Sequence, residues 1–566
     1  MRLLDWIVLV VAMVSIVAYG VWKGRGSKDL KGYLLSNRNM KWTTITLSIM
    51  ATQASAITFL STPGQAFVDG MRFVQNYFGL PIAAVILSVT AIPIYHRLKV
   101  YTAYEYLESR FDLKTRSLAA FLFLVQRSLA AGFTIYAPAV VLSVILGWNL
   151  TYTNLIVGFM VIVYTASGGT RAVNWTQFQQ MVIIMSGMCL AFFLIISDLP
   201  KNVSFGDAAG VAGAMGRLNA IDLTFDLTER YNVWSGLIAG CFLALSYFGT
   251  DQSQVARYLT GSSVTQSRMA LLMNGIIKVP MQFFILLVGV MVFVFYQFTA
   301  PPIFFNPTVV EEVRQTEDAA RFAALESEYE NAFVAKREKV DALIVARRNG
   351  EAVAEKEALL AADAHMSGIR AEAVEIIEKH DPDRVSDTNY IFLTFVVTYL
   401  PAGVVGLLIA AIMFASMSST SSELNALAST TVVDIYKRNL KPEASDQHYV
   451  TASKITTVLW GLLAIGFAES FRGHETLVEA VNIVGSIFYG TILGIFLAAF
   501  YTKRVPSTLV FITALIAQAV VIACHLMEVP VAYLWYNVIG CGIILIVAFT
   551  AEIILRMKGP GDLADA

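Results

Sequence analysis

A chain of 566 residues that is 56% hydrophobic and only 15% charged is too apolar for a soluble multidomain protein and reads as an integral membrane protein. Its net charge of −1 offers no electrostatic case for a nucleic-acid partner. The four cysteines (Cys189, Cys241, Cys524, Cys541) lie in apolar segments without metal-type spacing and read as buried thiols.

Apolar runs long enough to cross about 30 Å of hydrocarbon are expected near 4–22, 42–68, 78–96, 117–146, 151–167, 174–197, 233–257, 269–299, 389–420, 450–469, 476–501, 507–527 and 531–555, thirteen in all. Span 1 has no small-residue cleavage site and is followed by "KGRGSK", which marks a span rather than a signal peptide. Span 2 carries "MATQASA" at its centre, small and polar where a lipid-facing helix has Leu. Basic residues crowd the loops after span 1 (Lys23, Arg25, Lys28, Lys31, Arg38, Lys41) and span 3 (Arg97, Lys99, Arg110, Lys114, Arg116). The alternate loops are poorer: 69–77 holds only Arg72 and 147–150 none. Basic loops face the cytoplasm, so the N-terminus is expected outside the cell inner or plasma membrane and the C-terminus inside.

Span 4 contains Arg127, and a charge within a span should face a cavity or an acid. It reads either as a helix-packing ion pair or as an attractor for a carboxylate solute. Span 7 is interrupted by "SYFGTDQSQ". Residues 308–387 hold no span; from Glu311 to Arg384 there are 18 acids against 11 bases, a net of −7. Apolar residues recur there at helical spacing (Phe322, Leu325, Tyr329, Phe333, Val340, Ile344), "RRNG" at 347–350 reads as a turn, and a second helical pattern follows. This predicts a coiled-coil-like helical hairpin on the outer face, read first as a solvated insertion and second as a docking surface for a partner.

Span 9, placed at 389–420, ends in six hydroxyls within seven residues: Ser416, Ser418, Ser419, Thr420, Ser421 and Ser422. In hydrocarbon each needs a partner. One or two can bond back to their own helix; six imply water, another helix or an ion. Glu479 and Asn482 in span 11 are further polar cavity candidates. Spans 2 and 7 are five apart, so spans 2–6 and 7–11 fit two five-helix repeats, and paired interrupted helices point to a transporter's binding site. Close helix packing explains Ala51, Ala54 and Ala56 but not Gln53, Asp251 and Gln252 together.

Five stretches, "KDLKGYLLSNRNMKW" (28–42), "YTAYEYLESRF" (101–111), "YTASGGTRAVNWTQFQQ" (164–180), "YFGTDQSQVARYL" (247–259) and the run 400–438 around "FASMSSTSSELN", resemble the sodium/solute symporters in order and spacing. The resemblance implies an all-α membrane fold with a leucine-transporter-type five-plus-five inverted-repeat core at spans 2–11. The expected domains are then 1–41 (first helix and cytoplasmic loop), 42–197 (first repeat), 233–307 (start of the second repeat), 308–387 (hairpin), 388–501 (rest of the second repeat) and 502–566 (two peripheral helices and a short tail). The resemblance also implies a sodium ion held by the carbonyls of Ala51, Ala54 and Ala415 and the hydroxyls of Ser418 and Ser419. Neutral oxygens replace the hydration shell of a monovalent ion and still release it in each cycle.

Some relatives hold a second sodium with hydroxyls at the positions of Ser421 and Ser422 and an aspartate where this chain has Gln177, so that site is in doubt here. Thr58, Tyr77, Leu80 and Asp251 fall where a bacterial sugar transporter of the family has polar contacts; three differ in type, which argues against a galactose-like solute. Tyr247 matches an aromatic gate position. The implied function is sodium-coupled import of a small organic solute by alternating access, one sodium per cycle, with sodium, solute and the lipid bilayer as partners. An inorganic-anion symporter and a membrane sensor are the alternatives; the chain runs only eleven residues past span 13, so a sensor would need an output partner in trans. No repeated filter motif supports a channel. No nucleotide motif supports an enzyme, and the six histidines are scattered.

Overall fold

The computed structural model describes residues 1–24, 30–350, 352–470 and 476–557. Arg25 and Lys28 of the first basic loop, His474 and the tail from Lys558 lie outside the described residues. Among the described residues there is no strand, only an isolated bridge between Met40 and Gly261. Helices dominate because in hydrocarbon each backbone N–H and C=O must find its partner within the segment. Nine helices among the described residues are long and apolar enough to cross a membrane, and three shorter apolar helices accompany them.

The chain begins with α1 (Leu3–Gly24). Expected span 2 is two helices, α2 (Trp42–Gln53) and α3 (Ala56–Asp69), parted by Ala54 and Ser55 in non-helical backbone. Span 3 is stepped at Thr90 into α4 (Leu80–Val89) and α5 (Ala91–Leu98). The fourth span is α6 (Leu113–Leu146), capped by the Asp112 side chain on the Thr115 N–H. Spans 5 and 6 form one helical run, α7 (Leu150–Ser197). Within it the Tyr164 and Thr176 hydroxyls bond to each other. Twelve residues of straight helix rise about 18 Å, so the run bends between them. The short helix α8 (Phe205–Ala214) opens with a Ser204–Asp207 capping box. Span 7 is a π-turn (Ser235–Ala239), α9 (Gly240–Gly249) and α10 (Gln252–Leu259), broken at Thr250 and Asp251; α11 (Val264–Phe298) follows.

The expected hairpin is α12 (Ala319–Asn349) and α13 (Val353–His380), with Gly350 at φ 89° ending α12. Its apolar stripe (Phe322, Leu325, Tyr329, Phe333) packs on Met366, Ile369 and Ile377, and also on Ile303, Phe304 and Val309 of the body below. The hairpin is therefore seated rather than free-standing. Arg348 bonds Asp207 at 2.6 Å, which holds that carboxyl well below the usual carboxylate range. Arg337 lies 4.1 Å from the centroid of the Phe298 ring.

Span 9 departs from expectation. A short helix α14 (Ile391–Tyr399) stops at Leu400, and α15 (Val404–Thr430) begins after a break containing Pro401 and Gly403, the latter at φ 89°. α15 continues as a π-helix over Thr431–Leu440. The hydroxyl cluster thus lies mid-helix, not at a helix end. Hydropathy misplaced the boundary because an apolar window is blind to the Pro–Gly stop and treats the buried polar half of α15 as loop. The chain finishes with α16 (Asp446–Ser470), α17 (Leu477–Tyr501), α18 (Ser507–Leu526) and α19 (Tyr536–Met557).

Connections gather at two ends. At one, Met71 N–H bonds Arg217 O at 3.0 Å, Asp222 N–H bonds Gln75 Oε1 at 3.0 Å, and Arg230 pairs with Glu479 at 2.7 Å. At the other, Met40 N–H bonds Thr260 O at 3.1 Å, Arg438 pairs with Glu108 at 2.6 Å, and Arg110 bonds Thr502 O at 2.9 Å. All four cysteines are free thiols, but only Cys241 and Cys541 are buried; Cys524 is half-buried and Cys189 faces outward from α7.

Gly403 is required by its positive φ of 89°, since a Cβ there would meet only the movable tip of the Leu4 side chain at 3.3 Å. Gly403→Ala is expected to cost about 1–2 kcal/mol, read as a drop of a few degrees in the melting temperature of the detergent-solubilised protein.

Candidate functional site

The break after α2 strips the carbonyls of its last turn of helical partners. Ser418 of α15 reaches across and donates to the Ala51 carbonyl at 2.9 Å, and Ser419 donates to the Ala415 carbonyl at 2.7 Å. Ala54 stands at the break itself, about one turn beyond Ala51, with its N–H on Met50 O at 2.8 Å. All five residues are buried. Four of the five expected ligand groups are therefore hydrogen-bonded pairwise where α2 and α15 cross. A hydroxyl has one proton and two lone pairs, so rotating either hydroxyl frees oxygens for a cation without moving the backbone.

Gln177 lies beside this crossing. Ser48 donates to its Oε1 at 2.5 Å, and its Nε2 faces Ser422 Oγ at 2.8 Å and Ser418 O and Thr52 Oγ1 at 3.2 Å. Ser422 therefore meets Gln177. Ser421 turns away, donating to Ser418 O at 3.0 Å.

A cavity of about 140 Å³ adjoins the crossing and includes Ser419 in its wall. Gln53, Thr58, Tyr77, Leu80, Arg127, Tyr247 and Asn482 line it, seven of the ten expected cavity residues. The other three do not. Asp251 stands behind Arg127, where it caps α10 through the Ser253 N–H at 2.8 Å. Gln252 is one helical position on, rotated about 100° away, and bonds Ala103 N–H at 3.1 Å and Tyr101 O at 2.9 Å. Glu479, in the first turn of α17, pairs with Arg230 at one end of the molecule.

Arg127 is an ion-pair hub. It pairs with Asp251, and with Glu423 of α15 at 3.1 Å; it donates to the Tyr489 hydroxyl at 2.5 Å and lies 5.5 Å from the Tyr247 ring centroid. Tyr489 in turn donates to Asp251 at 2.9 Å, and Thr134 to Glu423 at 2.8 Å. One guanidinium against two carboxylates leaves the cluster at −1. A second cation, Lys278 of α11, is 1% exposed and on the cavity wall, with its amine nitrogen 5.3 Å from the Tyr77 ring centroid. Among the described residues it makes no ion pair. Lys278 and Tyr489 were missed by sequence reasoning. The signal for Lys278 was present in "GIIKVP", a lone charge in a span, judged by the same rule that singled out Arg127.

Broken helices crossing at an oxygen-rich point, beside a cavity with polar groups among apolar helices, are the arrangement of a secondary transporter. The sodium:solute symporter family model matches residues 33–334 and 368–518, and the chain belongs to that family. Membership makes it a sodium-coupled transporter, not an enzyme. The human sodium/iodide cotransporter is 29% identical over 297 residues, a stretch spanning 52% of this chain and 45% of that one. Sodium-coupled monocarboxylate transporter 1 of Xenopus laevis is 25% identical over 496 residues, spanning 87% and 67%. The solved structure of a Na+-coupled sialic acid symporter superposes over 98% of both chains with a TM-score of 0.74 at 20% identity, a likeness of fold.

Removing Arg127 alone would leave two buried carboxylates facing each other. Arg127→Gln is expected to destabilise by about 3–5 kcal/mol, and adding Glu423→Gln to recover much of that loss. Thermal unfolding of both single variants and the double variant measures the coupling.

Proposed function

We propose that the protein imports a small organic anion together with one sodium ion by alternating access. The chain has thirteen spans, N-terminus outside and C-terminus cytoplasmic, with spans 2–11 as a five-plus-five inverted repeat and 308–387 as an extracytoplasmic hairpin whose charged outer face is where a partner would dock. The segregation of alternate loops to two ends supports this topology. Sodium takes the carbonyls of Ala51, Ala54 and Ala415 and the hydroxyls of Ser418 and Ser419; the Ser418–Ala51 bond at 2.9 Å supports that grouping.

Gln177 supports a single ion. Its amide N–H groups face Ser422 Oγ and Ser418 O, oxygens a second cation would need, and it carries no charge to offset one.

Lys278 is the observation that carries the solute class. Counted formally, Arg127 and Lys278 match Glu423 on the cavity wall and Asp251 behind it, so the region sums to zero. Bound sodium adds one positive charge, and a monoanion restores neutrality before the loaded cavity moves through a low-dielectric region. Arg127 is committed to its acids, so Lys278 is the cation free to take a carboxylate. A cavity of about 140 Å³ has room for a short-chain carboxylate. The iodide and monocarboxylate relatives carry anions by name.

Uptake of labelled propionate and pyruvate into cells expressing the protein tests both assignments. Lys278→Gln is expected to raise the half-saturating solute concentration about tenfold or more at unchanged protein level. Replacing Ser418 and Ser419 together by Ala is expected to raise the half-saturating sodium concentration. Wild-type values in either variant, or uptake of neutral sugars instead, would contradict the reading.

A further inference from the structure

Residues 221–227, between α8 and α9, are neither helix nor strand. Ile221, Leu223 and Phe225 are nonetheless 64%, 73% and 65% exposed, and Leu227 is exposed as well. A loop in water seldom leaves four large apolar side chains together in solvent, and such a patch marks an interaction surface. The four alternate with Asp222, Thr224 and Asp226, a spacing that sends them to one side of an extended chain. The acids serve the backbone: Asp222 accepts the Thr224 N–H at 2.9 Å, and Asp226 accepts the Thr228 N–H at 2.8 Å. The surface therefore offers apolar contact rather than charge.

The segment is pinned along the rim of the helical body. The Asp222 carbonyl accepts the Val233 N–H at 2.8 Å, and the Leu227 carbonyl accepts the Ala532 N–H at 2.8 Å, just ahead of α19. Trp234, which leads into the π-turn before α9, donates its ring N–H to the Leu223 carbonyl at 3.1 Å, and its ring meets Phe225 near edge-on at 5.9 Å. Trp234 is itself exposed, and so are Leu237 and Ile238, three and four positions further on, while Ser235, Gly236 and Ala239 are buried. Residues at that spacing share one helix face, and an exposed apolar face on a membrane helix is a face toward lipid. The apolar side chains of 221–227 prolong that face beyond the end of the helix.

Depth agrees. Broken helices of transporters meet near the bilayer midplane, and Trp234 is sixteen positions before the break at Thr250. Sixteen helical residues rise about 24 Å, against a half-bilayer of roughly 20–22 Å including headgroups. Trp234 and its loop thus stand at headgroup level, where the amphipathic ring of tryptophan is favoured.

We infer that residues 221–234 are an interfacial anchor whose partner is phospholipid: Ile221, Leu223, Phe225 and Leu227 seat at the boundary between headgroups and acyl chains of one leaflet. The anchor holds the far end of α9 in the membrane surface, while the near end of α9 carries Tyr247 and the break. Because the contact is apolar, it is indifferent to headgroup charge. Only the side of the membrane, the outer one, rests on the topology proposed above.

The test uses Phe225→Cys and Leu223→Cys in the full-length protein, one copy per phosphatidylcholine nanodisc, so that a sulfonated maleimide reaches both faces. The labelling rate is read at each residue by mass spectrometry, with Asn349→Cys at the hairpin turn as the solvent reference. Labelling about tenfold slower than at position 349 is expected at both sites, and equally so in phosphatidylglycerol discs. An environment-sensitive fluorophore on the Phe225→Cys thiol is expected to be quenched by lipids with a nitroxide near the top of the acyl chain, and less by lipids with one near its end. Labelling as fast as at position 349 would put the segment in water. Slow labelling without nitroxide quenching would fold it against the protein, and protection only in discs that hold two copies would assign the face to a second copy. Each of these results overturns the anchor.

Discussion

The structure depends on one constraint: a helix broken inside a membrane must have its stranded carbonyls satisfied by something other than lipid. Here the break at Ala54 and Ser55 is answered by the hydroxyl face of α15, with Ser418 on Ala51 O. The atoms of this helix-packing contact are the ones proposed above to hold sodium, and a hydroxyl that gives up its bond to a carbonyl can turn a lone pair toward a cation.

The second organising element is Arg127. Its pairs join α6, the broken α9–α10 segment and α15, and through Tyr489 it reaches α17. These elements are thereby tied at the cavity wall by charges too costly to separate in a low dielectric. Lys278, left outside that cluster, places a second cation on the cavity wall, and the proposal of an anionic solute rests on it.

Much of this was legible in the sequence. The polar centres of spans 2 and 7 located both breaks, and the hydroxyl run located the partner helix, because polar atoms in an apolar window have few alternatives. The turn at "RRNG" and the apolar stripe from Phe322 gave the hairpin. What failed was direction and distance. Asp251, Gln252 and Glu479 are as polar as Gln53, yet each faces a partner far along the chain, Arg127, the 101–103 backbone and Arg230, which no local pattern reveals. The start of α15 was misplaced because hydropathy outweighed Pro401 and Gly403. Lys278 was passed over because a single ammonium barely lowers the hydropathy of a long span.

The claim with most riding on it is that Gln177 leaves room for one sodium, and that this ion offsets one solute charge. Proteoliposomes loaded by an inward sodium gradient, with labelled sodium and labelled propionate followed together, measure it directly. The account predicts a flux ratio of one sodium per propionate, and a rate unaffected by membrane potential. A ratio of two, with uptake driven by an inside-negative potential, would contradict it.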